Sequence, residues 1–120
     1  MNSLILTLDA GAGCCLPIAY QQLTQGALYA AWRGSYPQLH DEGFAGDGQT
    51  FRLFTFGPLE GRYRVQGNEI TFTGLVQLEV RSPVEDLLYA LGKSLTGAGA
   101  LRLGRCVLPL RDLRSEDHYW

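Results

Sequence analysis

Apolar and polar residues alternate at the start of the chain, through Leu4, Leu6 and Leu8 of SLILTLDA, and predict a first β-strand. GAGCCLP then reads as a loop. From about residue 18 to residue 33 the spacing turns helical, with Tyr20, Leu23, Ala27, Ala30 and Ala31 on one face. At about 100° per residue Tyr29 falls off that stripe, beside Gln22, Gln25 and Arg33. Leu28 and Trp32 also point away from it. This helix is therefore expected to be apolar on two sides, and a single sheet can cover only one of them.

The run Ser35, Tyr36, Pro37, Gln38 has the form of a capping box with proline in the first turn, and Gly43 offers a left-handed stop. His40 is thereby expected in the last turn of a short helix. FRLFTF alternates as a strand, RYRV as another, and Gly67-Asn68 predicts a hairpin into EITFTGLVQLEV. Ser82 to Glu85 repeats the capping-box form ahead of Val84, Leu87, Leu88, Leu91 and Leu95, a strong amphipathic pattern that Gly97 and Gly99 end. LRLGRCVLPL reads as a final strand or bent strand pair, and RSEDHYW as a fraying tail. The order β-α-β-β-α-β predicts an α+β, ferredoxin-like domain, an antiparallel sheet with two helices on one face. RNA-recognition modules share this arrangement, which hosts many functions.

At 120 residues the chain is expected to be one domain with its own core. No apolar run approaches the roughly 20 residues of a membrane span, and no basic stretch precedes a signal-like segment, so a cytoplasmic protein without membrane contact is expected. Cys14, Cys15 and Cys106 lack zinc-site spacing and read as reduced thiols, Cys106 as a small core residue. No metal or other cofactor is expected, and the glycine loops match no nucleotide-binding pattern. Net charge is −2, and nine of the ten basic residues are arginine. An avid, sequence-blind nucleic-acid binder would be basic, so only a local arginine patch fits.

Tyr29, His40 and Arg52 are a phenol, an imidazole and a fixed cation within one short region, the groups a metal-free phosphoryl-transfer site uses. A histidine near a helix C-terminus, followed by Asp41 and Glu42, should hold its proton more tightly than free imidazole. Each residue also has a plain structural reading: a loop histidine capping a helix, amphipathic packing of a tyrosine, a solvated strand-end arginine. Arg62 and Arg64 share one strand face and could track a nucleic-acid backbone, or could pair with Glu60 and Glu69.

The order QGALY, LHDEGF, FRLFTFGPLEGRYRVQGNEITFTG, RSPVEDLLYAL and GALRLG resembles the N-terminal domain of the CRISPR-associated repeat-RNA endoribonucleases, the Cas6 family. The resemblance covers most of the chain, and its LFTF-PL-GRYRV run is the most specific part. It implies a pair of ferredoxin-like domains that cut repeat RNA without metal, the 2′-hydroxyl attacking its own phosphate to leave a 2′,3′-cyclic phosphate and a 5′-hydroxyl. Carried over, the tyrosine of Gly-x-x-Tyr is Tyr29, the histidine of Leu-His is His40, and the cation before the LFT strand is Arg52, where some members have lysine. Arg33, Arg62 and Arg64 are the RNA-binding candidates.

The family's second domain has a glycine-rich RNA-gripping loop, and this chain stops before it. It is therefore expected to be the N-terminal half of a two-domain enzyme, weak or inactive alone. Expected partners are CRISPR repeat RNA, a CRISPR effector complex, and either the missing C-terminal domain or a second copy on the Leu28/Trp32 face. The alternative is a non-catalytic ferredoxin-like module that binds RNA or assembles with protein.

Overall fold

The computed structural model describes residues 2–33, 44–46, 49–51 and 54–117. In chain order the elements are β1 (Asn2–Asp9), β2 (Cys14–Pro17), α1 (Gln21–Trp32), β3 (Phe44–Gly46), β4 (Gln49–Phe51), β5 (Thr55–Phe56), β6 (Glu60–Gln66), β7 (Glu69–Ser82), α2 (Glu85–Ala98), β8 (Ala100–Leu103) and β9 (Cys106–Asp117). Strands β6, β7, β1 and β9 lie side by side and antiparallel, with α1 between β1 and β6 in sequence and α2 between β7 and β9. This is the ferredoxin-like arrangement that the pattern predicted. Short strands β2, β5 and β8 extend it to seven strands, and β3 pairs with β4 in a separate ribbon.

Register explains which residues form the core. Residues directly opposed in an antiparallel pair share a face. The matches Leu4↔Val80, Leu6↔Leu78 and Leu8↔Val76 therefore put six apolar side chains on one side of the sheet, all of them buried under the helices. Helix α2 buries Leu87, Leu88, Leu91 and Leu95, as its sequence period required, and Gly99 closes it in the left-handed conformation at φ 75°. Ser82 caps differently from expectation. Its hydroxyl accepts from the Val84 N–H at 3.0 Å, two residues on, and Val84 itself occupies the N-cap position of the helix.

Helix α1 corrects the sequence reading. Its buried face is Thr24, Leu28 and Trp32, while Ala30 is exposed and Ala27 and Ala31 sit at the margin. The core side is rotated by roughly 90° from the predicted stripe. Two facts account for this. The large apolar surfaces of Leu28 and Trp32 gain more from burial than alanine methyls do. Thr24, whose polarity broke the pattern, satisfies its own hydroxyl on the Tyr20 carbonyl at 3.4 Å. Leu28 and Trp32 are each 0% exposed, so the domain covers this face itself and no second surface is left there for a partner.

Three further segments depart from expectation. GAGCCLP is not all loop: Cys14 to Pro17 pair with β7 through Cys14↔Phe72 and Leu16↔Ile70, filling the lane beyond the end of β1. FRLFTF is not one strand, since Phe51 closes β4 while Thr55 and Phe56 pair with Arg81 and Val80. The RSED of the tail is ordered in β9, where Arg114 to Asp117 pair with Ile5 to Asn2. In each case a neighbouring strand with unpaired backbone groups supplies hydrogen bonds that no local pattern encodes.

Candidate functional site

Among the three positions assigned to catalysis, Tyr29 is described. His40, Arg52 and the 35–38 capping run lie outside the described residues. Tyr29 is half-buried near the C-terminal end of α1, and its ring meets that of Phe54 edge-on at 5.6 Å. Phe54 also packs on Trp32 at 4.7 Å and stacks on Phe56 at 6.3 Å. This aromatic cluster fastens the chain, two residues past Arg52, to the last turns of α1. Gln25, one turn before Tyr29, donates its Nε2–H to the phenol oxygen at 3.5 Å. The stripe of Gln22, Gln25, Tyr29 and Arg33 thus has its two half-buried members in contact, while Gln22 and Arg33 are exposed.

Gly26 of the Gly-x-x-Tyr motif adds a second observation. It is exposed in the middle of α1, and a Cβ there would meet nothing within 4 Å. Glycine inside a helix costs about 1 kcal/mol relative to alanine, so packing gives no reason for it. Gly26→Ala is expected to stabilise the free domain by about 0.5–1 kcal/mol, seen as a higher urea midpoint at constant slope. A lowered midpoint would mean that residue 26 has a structural task of its own.

The three RNA-binding candidates do not form one patch. Arg33 follows the C-terminal end of α1, its N–H on the Ala30 carbonyl at 3.3 Å. Arg62 and Arg64 lie on β6 near the opposite end of that helix, where Tyr20 meets Phe72 at 5.7 Å and Phe72 in turn faces Tyr63. The 12 residues of α1 separate the two places by about 18 Å along the helix axis.

Arg62 and Arg64 differ from three other arginines of the sheet in having no carboxylate partner among the described residues. Arg81, Arg111 and Arg114 are held by Glu79, Asp9 and Glu116 at 3.2, 3.0 and 3.2 Å. Arg62 and Arg64 are exposed and make no ion pair among the described residues, so the pairing with Glu60 or Glu69 that the sequence allowed is absent there. Glu69 instead accepts from the Cys15 thiol at 3.2 Å. Tyr63, between the two arginines, was not singled out by sequence reasoning. Its signal was an aromatic flanked by cations in a strand, easily taken for core.

The cysteines are free thiols. Burial and the neighbouring Cys106 thiol push the Cys14 thiol up to about 12, so it stays protonated at neutral pH. Among the described residues no group of three or more His, Cys, Asp or Glu side chains is placed to hold a metal ion, and no helix is long and apolar enough to cross a membrane.

Sequence comparison finds no matching family model and no matching curated protein. Comparison of folds does find matches. A CRISPR-associated protein Cas6 superposes with a TM-score of 0.75 at 20% identity, over 98% of this chain and 49% of that one. A Cas6-related protein from Pyrococcus furiosus gives 0.77 at 11% identity, over 100% and 49%. A RAMP protein described as binding different RNA substrates gives 0.74 at 15%, over 100% and 50%. The chain spans about half the length of each of these three structures. Over nearly its whole length, it has the ferredoxin-like fold found in one half of these Cas6 and RAMP proteins.

Proposed function

We propose that this chain is the N-terminal half of a two-domain, metal-independent endoribonuclease that processes CRISPR repeat transcripts. The observation that carries this reading is a convergence. The motif order in the sequence and the whole-chain superposition lead to the same Cas6 proteins, although identity is only 11–20%. Support also comes from Tyr29, which sits beside exposed Gly26 and Arg33 where an RNA backbone can approach the helix closely.

In the reaction the 2′-hydroxyl loses its proton and attacks the adjacent phosphorus, and the bond to the 5′-oxygen breaks as that oxygen gains a proton. His40 serves as general acid to the leaving oxygen or as base at the 2′-hydroxyl, with Tyr29 assisting there. Arg52 meets the charge that grows on the phosphorane. Being an arginine, it transfers no proton at neutral pH. The decisive experiment incubates repeat RNA in EDTA with the full two-domain protein and its His40→Ala variant. Metal-independent cleavage to a cyclic phosphate, lost in the variant, supports the reading. Binding with no cleavage by either protein would leave an RNA-binding module.

Arg52→Ala is expected to lower the single-turnover cleavage rate more than it weakens ground-state RNA binding. If only the dissociation constant moves, Arg52 positions the substrate. Near-wild-type cleavage by Arg52→Lys would mean that charge suffices without bidentate geometry.

A further inference from the structure

An RNA-recognition module usually stacks bases on aromatic side chains displayed by the open face of its central strands. Here the central strands are β1 and β7. Where they pair with each other, their open-face positions are Ser3, Ile5, Thr7 and Asp9 on β1 and Leu75, Gln77, Glu79 and Arg81 on β7, with no aromatic among them. The one aromatic of β7, Phe72, is 1% exposed on the helix side. The three arginines that reach the open face from β7 and β9 are already held by carboxylates. The central strands thus display neither a stacking aromatic nor an arginine free of a carboxylate on the face where this fold commonly takes RNA.

Both are available at the edge. Strand β6 pairs only with β7 among the described residues, and all seven of its residues are exposed. Tyr63 lies opposite Phe72 and is 61% exposed, its ring supported on one side by Phe72 at 6.0 Å between centroids. Val65, one register step along on the same side, is also exposed. Arg62 and Arg64 project to the other side of the strand, opposite Thr73 and Thr71. An edge strand of this kind thus offers a stacking shelf on one flank, two cations on the other, and backbone N–H groups between.

We infer that single-stranded RNA runs along the free edge of β6, with bases stacked on Tyr63 and the adjoining phosphates held by Arg62 and Arg64. This rests on the RNA-processing reading and gives it a binding track separate from the Tyr29 region. Charge decides against a second copy of the chain as occupant. Antiparallel pairing of two β6 strands centred on Tyr63 would set Arg62 opposite Arg64 twice, and like charges directly opposed are destabilising. The register shift at Gly61/Arg62 also bends the strand away from a flat edge.

The test uses the 120-residue chain and a 10-nucleotide oligoadenylate RNA carrying one 2-aminopurine. Wild type should quench the probe on binding. Tyr63→Ala should weaken binding by about tenfold or more and lose the quench, while Tyr63→Phe binds within about twofold, because a stacked base is worth 1–3 kcal/mol and needs no hydroxyl. The double variant Arg62→Ala/Arg64→Ala should flatten the dependence of log affinity on log salt by about 1.4, two phosphates' worth. Thermal melts of all variants should match wild type, since the replaced side chains are exposed. Wild-type binding without quench, or a Tyr63→Ala variant as tight as wild type, overturns the inference. So does absence of binding, or a dimer in sedimentation that Tyr63→Ala dissolves, which would make the edge a protein contact. Cleavage that depends on His40 but not on Tyr63 would overturn this track alone and leave the nuclease reading standing.

Discussion

If the proposed reading holds, replacing His40 by alanine in the full two-domain protein is expected to slow cleavage of repeat RNA by roughly 10²-fold or more, with RNA affinity nearly unchanged. A proton-transfer group acts on the transition state and contributes little to holding the substrate, so the loss belongs in the single-turnover rate constant. If His40 is the acid, the wild-type rate should fall as pH rises through its pKa, and the alanine variant should lose that limb. Equal single-turnover rates for variant and wild type would remove His40 from the mechanism and leave Tyr29 and Arg52 as the groups to test.

Trp32→Ala should cost the domain about 3–5 kcal/mol, the range for removing a fully buried aromatic side chain. The indole fills the space beside Phe54, and its Nε1–H donates to the Leu87 carbonyl at 2.8 Å, joining α1 to the start of α2. A domain of this size has about 5–15 kcal/mol in total, so the variant should be close to unfolding at 37 °C. Urea unfolding at 25 °C measures it, with Trp32→Phe expected in between because packing is partly kept and the hydrogen bond is lost. Trp32→Glu should behave worse than alanine, as an unpaired carboxylate in a dry core. A soluble, fully stable Trp32→Glu monomer is what an exposed docking face would give, and that result would contradict the packing described above.

The two helices show why one was legible in the sequence and the other was misjudged. In α2 the leucines at 87, 88, 91 and 95 are both the largest and the most apolar residues, so period and volume agree. In α1 period and volume disagree. The alanines form the cleaner stripe, but Leu28 and Trp32 carry the area, and the space between the sheet and α2 admits them. Helix periodicity identifies the element and leaves its rotation to whichever side chains the neighbouring surface can accept.

Turns, period-two strands and the long amphipathic helix are local, so the β-α-β-β-α-β order and the antiparallel sheet followed from the chain alone. The Gly67-Asn68 hairpin, with Gly67 at φ 62°, is one such case, and the motif order pointed to Tyr29, His40 and Arg52. What contacts what is not local. The strand role of Cys14 to Pro17, the ordering of Arg114 to Asp117 beside β1, and the splitting of FRLFTF each depend on strands far away in sequence. The pairing of Arg111 was decided in the same way, while Arg81 and Arg114 meet glutamates two residues away. Arg111 finds Asp9 across 102 residues, whereas Arg62 and Arg64 sit on an edge strand and make no ion pair among the described residues. Only the folded sheet, by bringing Asp9 to Arg111 and leaving Arg62 and Arg64 on an edge strand, separates an arginine already paired with a carboxylate from those that make no ion pair among the described residues.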